Sequence, residues 1–356
     1  MINLKINCKF KYLSTAGIFT ALILMLLASA LSGVDVAADE ERSITDLRED
    51  LSNIKLSSAE SYTEVKDMQS KTILYLYSIE RENVSANVKK FVFSVSDFLM
   101  NFDEYYKRSQ VNSSPGIHRQ IVRNINNMYA EADDLQALYN QEIVLQDADE
   151  PQDIIYDSRQ SISRFLSDEG DFFKTIADNE SITPIKLEYL ESSRLSYFYA
   201  QNYNIAGEIK KEIDSKENEF MEDLSEAEIK INTADSLISE ADFIKTTGNP
   251  YDIFLAALNY RESIKYYEDA MQLYRYHGFD NPECPFEYSS LYYSAYDKSV
   301  RYLEISDELM LEAVKYIVVI GAILMLLILI VMKSVMKWKK DMVDSKSGED
   351  LMFGYK

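Results

Sequence analysis

From Tyr316 to Met332 the sequence carries no charge, and Ile317–Val331 is an unbroken apolar run apart from Gly321. No other stretch limits the fold as strongly. Hydrocarbon offers backbone N–H and C=O groups no water, so a segment of this composition must satisfy them within a helix. Ala313, Val314 and the aliphatic stem of Lys315 extend the apolar length to the ~20 residues that a bilayer requires. No Gly or Pro lies between Phe286 and the run, so one continuous helix is predicted from Phe286 to Lys340. It divides into a stalk over 286–315, a transmembrane helix over 316–336 and a cytoplasmic tail over 337–356. Lys315 and Tyr316 at one end, and Lys333 and Trp338 at the other, are the predicted membrane-interface anchors.

Charge orients this helix. The chain has a net charge of −22. Residues 39–315 hold 54 of the 59 acids but only 28 of the 37 Lys and Arg. Lys333, Lys337, Lys339 and Lys340 crowd the far side of the apolar run, and Lys5, Lys9 and Lys11 precede an earlier one at Leu13–Val34. Lysines beside both segments predict that both are flanked by cytoplasm and that the acidic middle lies outside. The earlier run has two readings. Val36-Ala37-Ala38 fits cleavage of a signal peptide spanning 1–38, which leaves a single-pass protein. Retention as an N-terminal anchor gives a two-pass protein. A surface this acidic makes nucleic acid a poor partner.

The segment 39–285 reads as one all-helical domain. Apolar residues recur in alternating steps of four and three at Val84, Val88, Phe91, Val95, Phe98, Phe102 and Tyr105. The same spacing recurs at Ile121, Ile125, Met128, Ala132, Leu135 and Tyr139. Two further stripes follow, Phe220-Leu224-Ala227-Ile231-Ala234-Ile238-Ala241 and Ile253-Ala257-Tyr260-Ile264-Tyr267-Met271-Tyr274. Such spacing keeps one helical face against a neighbour. Gly248-Asn249-Pro250 between the last two stripes supplies a left-handed terminator, a cap and a first-turn Pro, which predicts an antiparallel hairpin with Ala facing Tyr. Ser57-Ser-Ala-Glu60 reads as a capping box and Thr183-Pro184 as a cap with a first-turn Pro. The Gly and Pro positions, Gly170 and Gly207 among them, punctuate an otherwise helical pattern. The fold class that follows is an all-α extracytoplasmic bundle of long antiparallel helices, eight in number, running into one C-terminal transmembrane helix. Asn259–Ala270 resembles the second helix of a tetratricopeptide repeat, with Ser263, Tyr267 and Ala270 at that family's small, aromatic and Ala positions. The likeness spans about one unit, with no 34-residue period, and implies helical-hairpin packing rather than a function.

Residues for chemistry are scarce. His118 and His277 are the only histidines; neither has metal-ligand spacing to another donor, and both are read as structural or surface residues. Asp147, Asp149 and Asp153 open like a calcium loop, but Gln152 replaces the turn Gly and Ser158 the closing Glu, so a solvated turn is expected. There is no Gly-x-Ser-x-Gly and no phosphate-binding Gly-rich loop. No catalytic, cofactor or metal residue is therefore assigned. Asn83, Asn112 and Asn179 head glycosylation triplets. Cys284, the one cysteine outside the N-terminal segment, is a candidate for an intermolecular disulfide.

These features predict a non-enzymatic scaffold at the cell surface that docks other membrane or surface proteins. Its expected partners are the lipid bilayer, such proteins, and further copies of itself. The alternative is a ligand-binding or sensory ectodomain that signals through the stalk to a separate partner.

Overall fold

A computed structural model describes residues 43–79, 84–111 and 113–352, with side chains as far as Lys339. The predicted signal segment 1–38 and the acceptors Asn83 and Asn112 lie outside the described residues. Every regular element among those described is helical: α1 (Ile44–Asn53), a 3-10 turn (Ser57–Glu60), α2 (Thr63–Ser78), α3 (Ala86–Val111), α4 (Pro115–Gln141), the single-turn α5 (Ile143–Gln146), α6 (Glu150–Asn179), α7 (Thr183–Tyr199), α8 (Tyr203–Lys245), α9 (Pro250–Tyr276) and α10 (Phe286–Met352). Apart from the two short turns, eight helices of ten residues or more precede α10. The chain forms two compact units. One holds the described residues up to Thr175 together with Glu191–Ile209; the other holds Ile176–Leu190 and the described residues from Lys210 onward.

In the first unit α3 packs on α4, and the stripes explain why. Val88, Phe91, Val95, Phe98 and Phe102 are buried, as are Ile121, Ile125, Met128, Ala132 and Leu135. Each large side chain so buried contributes about 1.5–3 kcal/mol before ordering entropy. Phe102 meets Phe165 and Tyr62 edge-on, with ring centroids 5.5 and 5.3 Å apart. The 3-10 turn is a correction to the expected capping box at Ser57. Leu56 precedes the turn and makes no side-chain cap bond. The Ser58 amide donates instead to Asp103 Oδ1 at 2.7 Å: a buried carboxylate from another helix outcompeted the local cap. A true capping box closes α1, where the Asp46 amide donates to Ser43 Oγ at 3.2 Å and the Ser43 amide to Asp46 Oδ2 at 3.0 Å.

Two glycines expected to break helices lie inside them. Gly170 sits mid-α6 because the ring of Tyr197 lies where a Cβ would be. Gly207 lies in α8 with nothing within 4 Å of a Cβ, and no feature of the structure accounts for it.

The second unit is built on the predicted hairpin. Gly248 has φ +68°, Asn249 Oδ1 accepts from the Tyr251 amide at 3.1 Å, and Pro250 opens α9. Polar pairs between α8 and α9 run in opposite chain order: Asp242 with Tyr260, Asp235 with Tyr267, Glu219 with Tyr276. The two helices are therefore antiparallel. Ala234, Ile238 and Ala241 interleave with Ile253, Ala257, Tyr260 and Tyr267, and Ala295, Leu309 and Ala313 of α10 join the same core. Tyr302 of α10 stacks nearly parallel to Tyr260, with centroids 5.6 Å apart. The stalk is thus packed along the hairpin and then continues as the one described helix long and apolar enough to cross a membrane. None of its 18-residue apolar window is buried, unlike the core helix of a water-soluble protein.

Candidate functional site

The first unit carries an open cleft of about 730 Å³. One wall is a face of α4, with Asn126, Tyr129 and Asp133 at steps of three and four. The opposite wall is a face of α6, with Tyr156, Arg159, Gln160 and Ser163. The turn from α7 into α8 closes one end with Phe198, Tyr199, Ala200, Gln201 and Tyr203. Spacing of three and four puts each set on one helical face.

Backbone geometry builds the closed end. Gln201 has φ 62°, the one positive φ on a non-glycine among the described residues, a conformation that costs an L-residue about 1–2 kcal/mol. It lets the Gln201 amide donate to the Phe198 carbonyl at 3.1 Å and the Asn202 amide to the Tyr197 carbonyl at 2.9 Å. Ser163 Oγ locks the turn from α6 by donating to the Ala200 carbonyl at 2.7 Å. The result sets Phe198 and Tyr203 at 69° to one another with centroids 5.5 Å apart. This is a notch whose rings remain 47% and 61% exposed. Tyr156, 62% exposed, stands on the α6 wall with its hydroxyl accepting from Gln160 Nε2 at 2.8 Å.

Electrostatically the cleft is neutral. Arg159 and Asp133 pair across it at 2.8 Å. Tyr129 Oη is shut off from solvent beside Ser163; burial pushes its pKa up, opposed by Ser163. The strained backbone at Gln201 marks this part of the cleft, and such outliers cluster at binding and active sites. The lining contains no His, Cys or Glu. What it offers is aromatic area with amide and hydroxyl groups, which suits an uncharged ligand with both apolar and hydrogen-bonding parts.

The residues singled out in the sequence lie elsewhere. His118 is buried in the first unit, its ring 3.8 Å from that of Phe172 and its Nδ1 2.7 Å from Glu169 Oε2. Burial pushes the Glu169 carboxyl above the usual range, opposed by His118. His277 is the C-cap of α9. Its carbonyl accepts from the Thr183 amide at 3.1 Å, and its ring nitrogens lie 2.9 Å from Thr183 Oγ1 and 3.0 Å from Asp223 Oδ2. The hydroxyl expected to cap α7 is thus spent on His277. Asn179 is exposed as the last residue of α6. Lys315, Tyr316, Lys333 and Trp338 are exposed at the two ends of the apolar stretch of α10. Among the described residues no three His, Cys, Asp or Glu side chains converge as metal ligands.

Cys284 is buried in a cluster with Phe279, Tyr274 and Tyr292. Burial raises its thiol pKa, opposed by a backbone hydrogen bond with Ser289. A bridge to a second chain would first have to open this loop.

The cleft was not anticipated, because its residues lie beside the apolar stripes rather than on them. The signals available were the aromatic cluster Tyr197–Tyr203 and the recurrence of polar residues next to the stripe on α4. Compared with protein-family models, curated proteins and solved structures, the chain matches none.

Proposed function

We propose that this chain is a membrane-tethered docking protein: an extracytoplasmic helical bundle held by α10, whose tyrosine-lined cleft takes an uncharged segment of another protein. The observation that carries this reading is the exposure of Tyr156, Phe198 and Tyr203 around a cleft with balanced charge. Exposed aromatic rings are costly in water and supply most of the affinity at protein interfaces, with Tyr especially favoured. The lysine bias beside both apolar segments supports cytoplasmic ends and an outside position for the acidic remainder. The alternative, a sensor of small ligands, would be better served by an enclosed cavity that buries most of its ligand. This cleft is open.

The test is photo-crosslinking in native membranes with a benzophenone amino acid at Tyr203 or Tyr156, and at Ser236 of α8 as control. The proposal expects one and the same partner protein at both cleft positions and not at Ser236. Recovery of only lipid, or of only the chain's own copies, at both cleft positions would overturn it.

A further inference from the structure

The stalk of α10 buries one face and leaves another bare. Tyr292, Ala295, Ser299, Ser306, Leu309 and Ala313 are buried. At 100° per residue a second row lies roughly a third of a turn away. It comprises Phe286, Tyr293, Tyr296, Val300, Leu303 and Val314, exposed by 85, 47, 49, 39, 46 and 53%. Phe286, Tyr293 and Val300 are one heptad apart, as are Tyr296 and Leu303; Tyr293, Tyr296, Val300 and Leu303 take alternating three- and four-residue steps, and Val314 lies two heptads beyond Val300, with Ser289, Asp307 and Met310 at the positions between. Two acids share this face: Asp307, which Arg261 holds at 2.9 Å, and the exposed Glu304, about five turns from Phe286.

We infer that two copies of the chain pair through this row, parallel and in register, as a two-stranded coiled coil along the stalk. The repeat itself argues for a helix as the occupant. An interval of 3.5 residues keeps contact only with a neighbour that runs alongside for several turns. The identity of that neighbour follows from the tether. Copies anchored by the same apolar stretch are already parallel and at equal height, so the row meets its own counterpart under two-fold symmetry. The area suffices: six such side chains, about half exposed, cover on the order of 500 Å² per copy. The total of ~1,000 Å² reaches the lower bound of a specific interface. The pairing does not depend on what the cleft binds.

Disulfide scanning of the full chain in its native membrane tests this, with Cys8 and Cys284 replaced by Ser. Single cysteines at 293, 296, 300 and 303 probe the row; cysteines at 294, 301 and 308 probe the adjacent face. Mild oxidation should give dimers several-fold, roughly five-fold or more, in favour of the row. The double charge insertion Val300→Lys with Leu303→Lys should abolish the dimer formed by Tyr296→Cys while leaving the helical circular dichroism unchanged. Equal yields on both faces, yields unaffected by the lysines, or cross-links to a different protein would each overturn the inference.

Discussion

Gly170→Ala tests the packing that places the cleft's closing turn. A Cβ built on Gly170 lies 2.7 Å from Tyr197 Cε2 and 2.8 Å from Cδ2. The ring cannot easily retreat: it is 4% exposed, its hydroxyl donates to Asp171, and Ser193 Oγ donates to the Gly170 carbonyl at 2.7 Å. In an unobstructed helix the substitution would stabilise by about 1 kcal/mol. Here the overlap costs about 1–3 kcal/mol, and the displaced ring would also lose its bond to Asp171. The net expectation is a loss of about 1–2 kcal/mol. In a Tyr197→Ala background, itself weakened by roughly 3–5 kcal/mol, the obstruction is gone and Gly170→Ala should stabilise by about 1 kcal/mol. The sign of one substitution thus reverses with its neighbour, which is a coupling. Amide hydrogen exchange of α6 peptides in the intact protein reads the local opening free energy in all four variants. If Gly170→Ala stabilises α6 in both backgrounds, the glycine is not there to admit the ring.

Gly248 and Gly278 both have positive φ, +68° and +75°, but a Cβ at Gly278 would also stand 3.1 Å from Ile182 Cα and Ser181 O. Gly248→Ala should therefore cost about 1 kcal/mol and Gly278→Ala roughly 2–4 kcal/mol in thermal unfolding; equal losses would refute the distinction. Tyr267→Phe removes the hydroxyl bonded to Asp235 and should cost about 1 kcal/mol, measured the same way. Burial raises the Asp235 carboxyl pKa, but hydrogen bonds from Lys298 and Tyr267 outweigh it and hold the group below its usual value. A depressed folded-state pKa stabilises above the unfolded value and loses that contribution as pH falls through the folded one. The deficit of Asp235→Asn, under about 1 kcal/mol for so exposed a pair, should be present at pH 7 and fade below about pH 4; a deficit that grows in acid contradicts the assignment. Cys284, buried with a raised thiol pKa, should react with a maleimide many-fold faster after denaturation than before, and equal rates would place it on the surface.

Much of this architecture is written in the spacing of apolar residues. Val88–Phe102, Ile121–Leu135 and the two stripes of the hairpin are buried at nearly every position named from the sequence, because a helix's period fixes which residues share a face. Gly248-Asn249-Pro250 was equally readable, since its three residue types each do one thing at a helix boundary. Polar partners were less so. Asp235 and Asp242 each follow an alanine of the α8 stripe, and the tyrosines that face them are on α9. Only the hairpin's register pairs them, and register is a tertiary property. The same holds for Ser58 and Asp103, where a distant carboxylate displaced the local cap. The cleft was least legible, since Gln201 gives no hint that it will adopt a conformation usually left to Gly or Asn.

The account rests on α10 leaving the cytoplasm and holding the acidic remainder outside. Single cysteines at Ser236 and Lys339, in a chain with Cys8 and Cys284 replaced by Ser, measure this directly. In intact cells a membrane-impermeant maleimide should label Ser236→Cys, and Lys339→Cys only after permeabilisation. Labelling in the opposite order, or a chain that partitions into the soluble fraction without detergent, would contradict it.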